Sequence, residues 1–273
     1  MARTHKMGRI VFLILVILVV ATFLFPIAWT FITSLKPQGD ILVPAKIRFE
    51  PTLSNYHTAL FEKPFFHELF NSLVVSITST VFVLIVSLPA AYSFSRFNTT
   101  NLHLLFFILS TRMFPAAVAA IPFFLVYKNL GLLDTRLAIT LLYIYFNMSF
   151  ATFLLYGFFK DIPEELEYSA MVDGYDRWTI FRKIVFPLIK PGAAVTAVFC
   201  LIFSWNEFLF GFLFTRREAK TLAVGVEEFW TSTGIQWGPM AAAVFMVILP
   251  TLIITIIMQR YIVRGLTFGA VKG

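Results

Sequence analysis

Six apolar runs, each about 21–26 residues long, decide what this chain can become. They are Ile10–Ser34, Ser72–Ser95, Leu102–Tyr127, Leu137–Phe159, Gly192–Thr215 and Gly238–Met258. A hydrocarbon layer of roughly 30 Å is crossed by about 20 apolar residues in helical form. The expected fold is therefore all-α, a membrane protein of six transmembrane helices. Of the 273 residues 59% are hydrophobic and 14% charged, against roughly a quarter charged in ordinary soluble domains, and a water-soluble fold could not cover that much apolar surface. The first run is longer than the roughly 7–15 residues of a signal-peptide core and no small-residue cleavage site follows it, so it reads as a retained anchor.

The net charge of +7 raises the question of nucleic acid. Lys and Arg are scattered through short connections without a basic stripe, which excludes that reading in favour of membrane orientation. An even number of spans puts both ends on one side, and Arg3, Lys6 and Arg9 before the first run assign that side to the cytoplasm. Alternation then puts Arg96, the connection Lys160–Pro191 and the end with Arg260, Arg264 and Lys272 inside as well. Pro26, Pro89, Pro115, Pro122 and Pro250 lie within runs, as packing kinks or as hinges. Cys200 sits in an apolar run and has no partner for an intrachain disulfide. His5, His57, His67 and His103 show no metal-ligand spacing, and no nucleophile–base pairing is readable, so neither a metal nor a catalytic site is expected.

The connection Lys160–Pro191 carries the most specific pattern. It reads as two short amphipathic helices, a shape suited to docking a soluble partner under a membrane bundle. Asp161 is the expected cap of the first, Pro163 suits an early position, and Glu164 and Glu165 put negative charge in the first turn. Gly174 is expected to end that helix in the left-handed conformation. Asp176 is the expected cap of the second, in which Phe181, Ile184, Val185 and Leu188 recur at helical spacing until Pro187 interrupts the pattern.

Within this segment Tyr168-Ser169-Ala170-Met171-Val172-Asp173-Gly174, followed by Ile184 and Pro187, resembles the coupling motif of ATP-binding-cassette (ABC) importer permeases: Glu-Ala-Ala, three residues, Gly, nine residues, Ile-x-Leu-Pro. The flanking Ile162–Glu167 and Phe181–Leu188, with the end Gly265–Gly273, resemble the carbohydrate-importer branch, in the subunit type represented by the smaller permease of the maltose importer. The likeness covers essentially the whole chain. Tyr168, Ser169 and Phe186 depart from the motif, where it has Glu, Ala and Leu, and Glu165 and Glu167 stand close enough to supply the missing carboxylate.

The resemblance implies a type I ABC importer transmembrane domain occupying residues 1–273, multi-pass in a bacterial or archaeal cytoplasmic (inner) membrane. It also implies a second permease subunit, two ATPase subunits and an external solute-binding protein as partners besides lipid, with a sugar or sugar-like solute. The coupling residues it implies are Glu165, Glu167, Tyr168, Ser169, Ala170, Asp173, Gly174, Ile184 and Pro187. The sequence has no Gly-x-x-x-x-Gly-Lys-Ser/Thr loop, so ATP and Mg belong to the partners and this chain is not itself an enzyme. The tail Gly265–Gly273 is expected to extend between the ATPase subunits. The alternative is a self-sufficient secondary transporter or channel, against which stands the lack of an inverted repeat.

Arg112 and Glu207 are the ionisable residues deep in apolar runs, where a charge costs about 2.5–3.5 kcal/mol near the bilayer centre. Similar depth makes them a candidate intramembrane ion pair. Asn206 and Glu207, beside Trp205, are candidate solute-pathway residues, since a sugar needs hydrogen-bond partners for its hydroxyls and an aromatic face for its C–H side. Arg216–Trp237, with Glu227, Glu228, Phe229 and Trp230, reads either as a contact of the binding protein or as an interfacial aromatic belt.

Overall fold

The computed structural model describes residues 2–43, 46, 48–97, 102–232 and 234–267, the side chains of 2–7, 102 and 260–267 excepted. Its long helices are α1 (Ala2–Ser34), α2 (Phe65–Arg96), the pair α3 (Leu102–Met113) and α4 (Ala116–Asn129), and α5 (Arg136–Lys160). After the connecting helices α6 (Glu165–Val172) and α7 (Arg177–Ile180) come α8 (Phe186–Trp205), α9 (Leu209–Phe214) and α10 (Trp237–Thr267). Among the described residues five helical stretches are long and apolar enough to cross a membrane, and the α3–α4 pair, taken as one broken span, makes six. A short antiparallel hairpin, β1 (Trp230–Thr231) with β2 (Gly234–Ile235), precedes α10.

The six-run expectation holds in number, but two spans differ in shape. The third is not one rod: α3 and α4 meet at an 83° bend between Met113 and Ala116. Pro115 explains the place of the break, because its ring blocks the carbonyl a turn earlier and it sits at the start of α4, where the absent N–H is not missed. The fifth begins earlier than expected and breaks at Asn206, before α9. The second starts at Phe65 rather than Ser72, so the connection after α1 is shorter than expected and contains the short helical turns Gln38–Ile41, Ser54–His57 and Thr58–Glu62.

By chain contacts the molecule divides into two compact units, Met1–Phe66 with Gly225–Pro250, and His67–Val224 with Thr251–Gly273. In the first, the end of α1 is held by Asn55, whose amide donates to the carbonyls of Ser34 and Lys36 at 2.9 and 2.8 Å. From Ile10 to Phe25 α1 is apolar on nearly every side and exposed, a surface for lipid or another chain.

In the second unit, one core gathers Val75 with Ala138, Ile139, Leu142 and Tyr143 of α5 and Phe210 and Phe214 of α9. Helices α5 and α8 approach closely at Gly192, where a Cβ would lie 2.6 Å from Cγ of Phe158. The start of α5 is capped by Thr135, whose hydroxyl accepts from the N–H of Ala138 at 3.2 Å.

Just before that cap, Asp134 adopts a left-handed backbone (φ 58°) and its carboxylate gathers the N–H groups of Arg216, Arg217, Glu218 and Ala219 at 2.9–3.2 Å. Burial works to raise the Asp134 pKa, and the four donors outweigh it, holding the carboxyl below the ordinary range. A depressed folded pKa means that this clasp contributes fully above the unfolded value of about 4 and is lost as pH falls through the lower folded value. Asp134→Asn, which tolerates the left-handed backbone, is expected to melt a few degrees below wild type in detergent at pH 7, worth about 1 kcal/mol after solvent screening. The two should converge as the pH is brought down towards about 3; a constant gap across the titration would exclude the charge as the cause.

Candidate functional site

The connection from α5 to α8 builds a two-faced platform. Glu165 opens α6 without a side-chain cap, and Asp161 is instead the last residue of the α5 turn, so the expected cap is corrected. The chain must first reverse at Ile162-Pro163, which leaves Asp161 too far back to reach the first N–H groups of α6. At the other end Gly174 has φ 86°, with its N–H donating to the carbonyl of Met171 and that of Tyr175 to Ala170, both at 3.1 Å. These two bonds close the helix in a Schellman turn.

Asp176 then caps α7, accepting from the N–H groups of Trp178 and Thr179 at 3.1 and 3.3 Å and from the Thr179 hydroxyl. That hydroxyl, and then the N–H donors, draw the Asp176 pKa down. Pro187 does not stop the second helix. Its position in the first turn of α8 spares a donor the helix does not need, and a π-helical turn, Phe181–Val185, joins α7 to α8 without a break.

The two faces of the platform have opposite character. Ala170, Ile180, Val185 and Ile189 are buried with Ala91, Tyr92, Leu155 and Phe159, and Ile184 packs against them. Leu166, Tyr168, Val172, Tyr175 and Trp178 are exposed, Val172 at 88% and Trp178 at 67%. Tyr168 donates to Glu164 at 3.0 Å, and this carboxylate, by hydrogen bond and charge, raises the phenol's pKa. Ser169 donates back to the carbonyl of Glu165 at 2.8 Å. Glu165, Tyr168, Ser169, Asp173 and Gly174 thus lie on or beside the open face, as does Pro187 further along.

Glu167 belongs to the other face, which corrects its expected role as a stand-in for the motif's outward carboxylate. Its side chain is 4% exposed, accepting from Arg96 Nε and from the Tyr92 hydroxyl, each at 2.6 Å. A second Arg96 nitrogen donates to the carbonyl of Ile162 at 2.8 Å. Sequence reasoning missed Arg96 and Tyr92 as partners, because an arginine just past an apolar run signals orientation and nothing about what it touches.

A second locus lies inside the spans. A cavity of about 240 Å³ is lined by Arg112, Tyr143, Asn147, Phe203, Ser204 and Glu207 among others. Arg112 and Glu207 share it, yet the ion pairs among the described residues do not join them. Arg112 donates to the Phe146 carbonyl at 3.0 Å and to Asn147 Oδ1 at 3.3 Å, with its guanidinium 4.3 Å from the Phe203 ring centre and 5.0 Å from that of Phe150. Glu207 accepts from the N–H groups of Phe210 and Gly211 at 3.0–3.2 Å and from the Tyr143 hydroxyl at 3.2 Å.

The expected pair is therefore replaced by two separate solutions, each reached locally. Asn147 links onward to Ser204 at 2.9 Å, and Ser204 to Ser79 at 3.2 Å. Asn206 does not line this cavity; it is exposed, with its amide on the Ile202 carbonyl and the Thr251 hydroxyl. The expectation for Gly265–Gly273 falls largely outside the described residues, with only the backbone to Thr267 seen as helix.

Comparison with known proteins bears on both loci. The family of binding-protein-dependent transport system inner membrane components matches residues 83–267, which include the platform and the cavity. The chain is 34% identical over 254 residues to the sulfoquinovosyl glycerol transport system permease of Agrobacterium fabrum, covering 92% of this chain and 89% of that one. It is 32% identical over 277 residues to the trehalose/maltose transport system permease of Thermococcus litoralis, covering 99% of each. Its fold is similar to that in a crystal structure of a bacterial ABC transporter for import of the acidic polysaccharide alginate, with a TM-score of 0.79, 25% identity, and coverage of 95% of this chain and 98% of that one. The apolar spans, the two-faced platform at the coupling motif and these likenesses converge, and the chain belongs to the binding-protein-dependent transport system inner membrane components, as an ABC importer permease.

Proposed function

We propose that this permease, paired with a second permease subunit, carries a carbohydrate or sugar-like solute delivered by an external binding protein. Two separate ATPase subunits, which bind ATP and Mg, drive it by gripping the platform Glu165–Pro187. The observation that carries this reading is the apolar, exposed face of Leu166, Tyr168, Val172, Tyr175 and Trp178 beside the motif residues Ser169, Asp173 and Gly174. An apolar strip on a helical segment at the end of membrane spans is a surface that needs a protein cover. The solute class follows the relatives, whose names specify sugars and sugar conjugates.

Glu207, with Arg112, Asn147, Ser204 and Tyr143, is the proposed contact of this subunit with the solute, and exposed Asn206 its neighbour at the same helix break. Phenylalanine faces beside charged hydrogen-bonding groups suit a pyranose. The cavity is smaller than the roughly 300–1,000 Å³ of a complete ligand pocket, which supports a half-site finished by the second permease.

The orientation proposed is the cytoplasmic membrane of a bacterial or archaeal cell with both termini and the platform inside, residues 1–273 forming one membrane domain. Impermeant maleimide applied to intact cells is expected to label Glu218→Cys but not Glu165→Cys, both of which replace exposed side chains. Native Cys200 is fully buried and adds no background. Labelling of Glu165→Cys in intact cells at the level seen in broken ones would reverse the orientation.

A further inference from the structure

The contact between Glu167 and the end of α2 is built differently from the rest of the platform's inner face. Elsewhere that face is apolar: Ala170, Ile180 and Val185 against Leu155 and Phe159. At Glu167 a carboxylate and a guanidinium, each 4% exposed, meet at 2.6 Å with the Tyr92 hydroxyl on the second carboxylate oxygen. Burying two charges carries a desolvation cost that their attraction only repays when the geometry is good, and apolar side chains of similar size hold such a place equally well. What an ion pair with three directional hydrogen bonds supplies in addition is a single relative placement of the two helices.

The surroundings fit that use. Arg96 also donates to the Ile162 carbonyl at the entry to α6, at 2.8 Å, and lies 3.6 Å from Glu164. Tyr92 packs on Phe159 of α5 and on Phe181 of the π turn, with ring centres 5.6 and 4.9 Å apart. Beyond Arg96, the Phe97 ring sits 4.8 Å below the guanidinium of Arg177, which opens α7. Both halves of the platform are thus fastened to the same end of the same span, while their opposite edges stay open.

We infer that Arg96 and Glu167 are positioning residues that fasten the platform to α2, so that displacement imposed on the platform is delivered to that span. The inference rests on the reading that ATPase subunits dock there. It differs from a stability role in one observable respect, since a stability role is restored by any well-packed replacement and a positioning role is not.

The test uses the complete transporter, this chain with its partner permease and ATPase subunits, reconstituted with its binding protein in proteoliposomes, and reads solute uptake per ATP hydrolysed. Glu167→Gln, which keeps the shape and removes the charge, is expected to lower that ratio about tenfold or more with the ATPase subunits still bound. The apolar double variant Arg96→Met with Glu167→Leu guards against poor folding of the single change. It is expected to restore the amount of complex but not the ratio. A wild-type ratio in either variant overturns the inference. So does loss of the ATPase subunits from the variants alone, which would make the pair part of the dock. The docking reading itself fails separately, if the wild-type chain purifies without ATPase subunits under the same conditions.

Discussion

Valine at position 174 is expected to cut solute uptake about tenfold or more while the amount of subunit in the membrane stays within about twofold of wild type. Among the described residues, its own chain neighbours aside, no atom lies within 4 Å of a Cβ built at Gly174, so the added carbon meets no steric obstacle there. What opposes it is the backbone: at φ 86° a residue with a Cβ is strained by about 1–2 kcal/mol, and a β-branched one by more. The turn relaxes by giving up its two closing hydrogen bonds, and the exposed ends of α6 and α7 lose their mutual angle. Since the strained turn is at the surface, the cost falls on the platform's shape and not on the buried core. A graded series checks the cause. Gly174→Asn, which tolerates the left-handed region, should retain most uptake and Gly174→Ala less, with Val lowest. Equal uptake in all three, at equal membrane levels, would sink the backbone explanation.

The second large effect concerns Glu207. Helix α8 ends at Trp205 and α9 begins at Leu209, so the first N–H groups of α9 fall among apolar helices, where water does not satisfy them. Glu207 satisfies those of Phe210 and Gly211 and takes the Tyr143 hydroxyl as well. Glu207→Ala leaves the two N–H groups unpaired, at about 1–3 kcal/mol for each buried group, while the Tyr143 hydroxyl keeps the backbone carbonyl of residue 207 at 3.4 Å. The folded subunit recovered from the membrane is expected to fall about tenfold or more. Glu207→Gln keeps an acceptor for one donor and should fall between the two.

The reciprocal exchange Arg112→Glu with Glu207→Arg is expected to give no recovery, because each residue is held by its own neighbours and an arginine at 207 has no acceptor to offer Phe210. Recovery of the exchange above both single variants would show that the two charges are coupled after all.

The difference between this result and the ion pair read from the sequence is instructive. Depth along a span can be counted from residue numbers, and it brought Arg112 and Glu207 to one level correctly enough that they line a common cavity. Which way each side chain turns depends on neighbours from α5 and α9, and on a helix break at Asn206 that apolar composition runs straight through. The bend at Pro115 was legible as a place and not as an angle, since a proline frees a carbonyl but the packing around it sets how far the chain turns.

Local signals fared better. Asp176 and Gly174 were readable as cap and turn because their hydrogen bonds close within a few residues. Pro187 misled because the same missing N–H fits either just after one helix or in the first turn of the next, and only the π turn before it decides. Glu167 and Arg96 are 71 residues apart, and nothing in either local pattern points to the other.

The uninterrupted helical stretch from Arg177 to Trp205, 29 residues through the π turn, has a mechanical consequence. At about 1.5 Å per residue it is a lever roughly 43 Å long, with the Asp176 cap at one end and Ser204 and the Glu207 break at the other. The π turn and Pro191 lie within it, and the helix continues through both. A tilt of about 5° about the platform end sweeps Ser204 through about 4 Å, further than a hydrogen bond of 2.9 Å to Asn147 can stretch. A tilt of that size would therefore reach the cavity as an exchange of hydrogen-bond partners at Ser204.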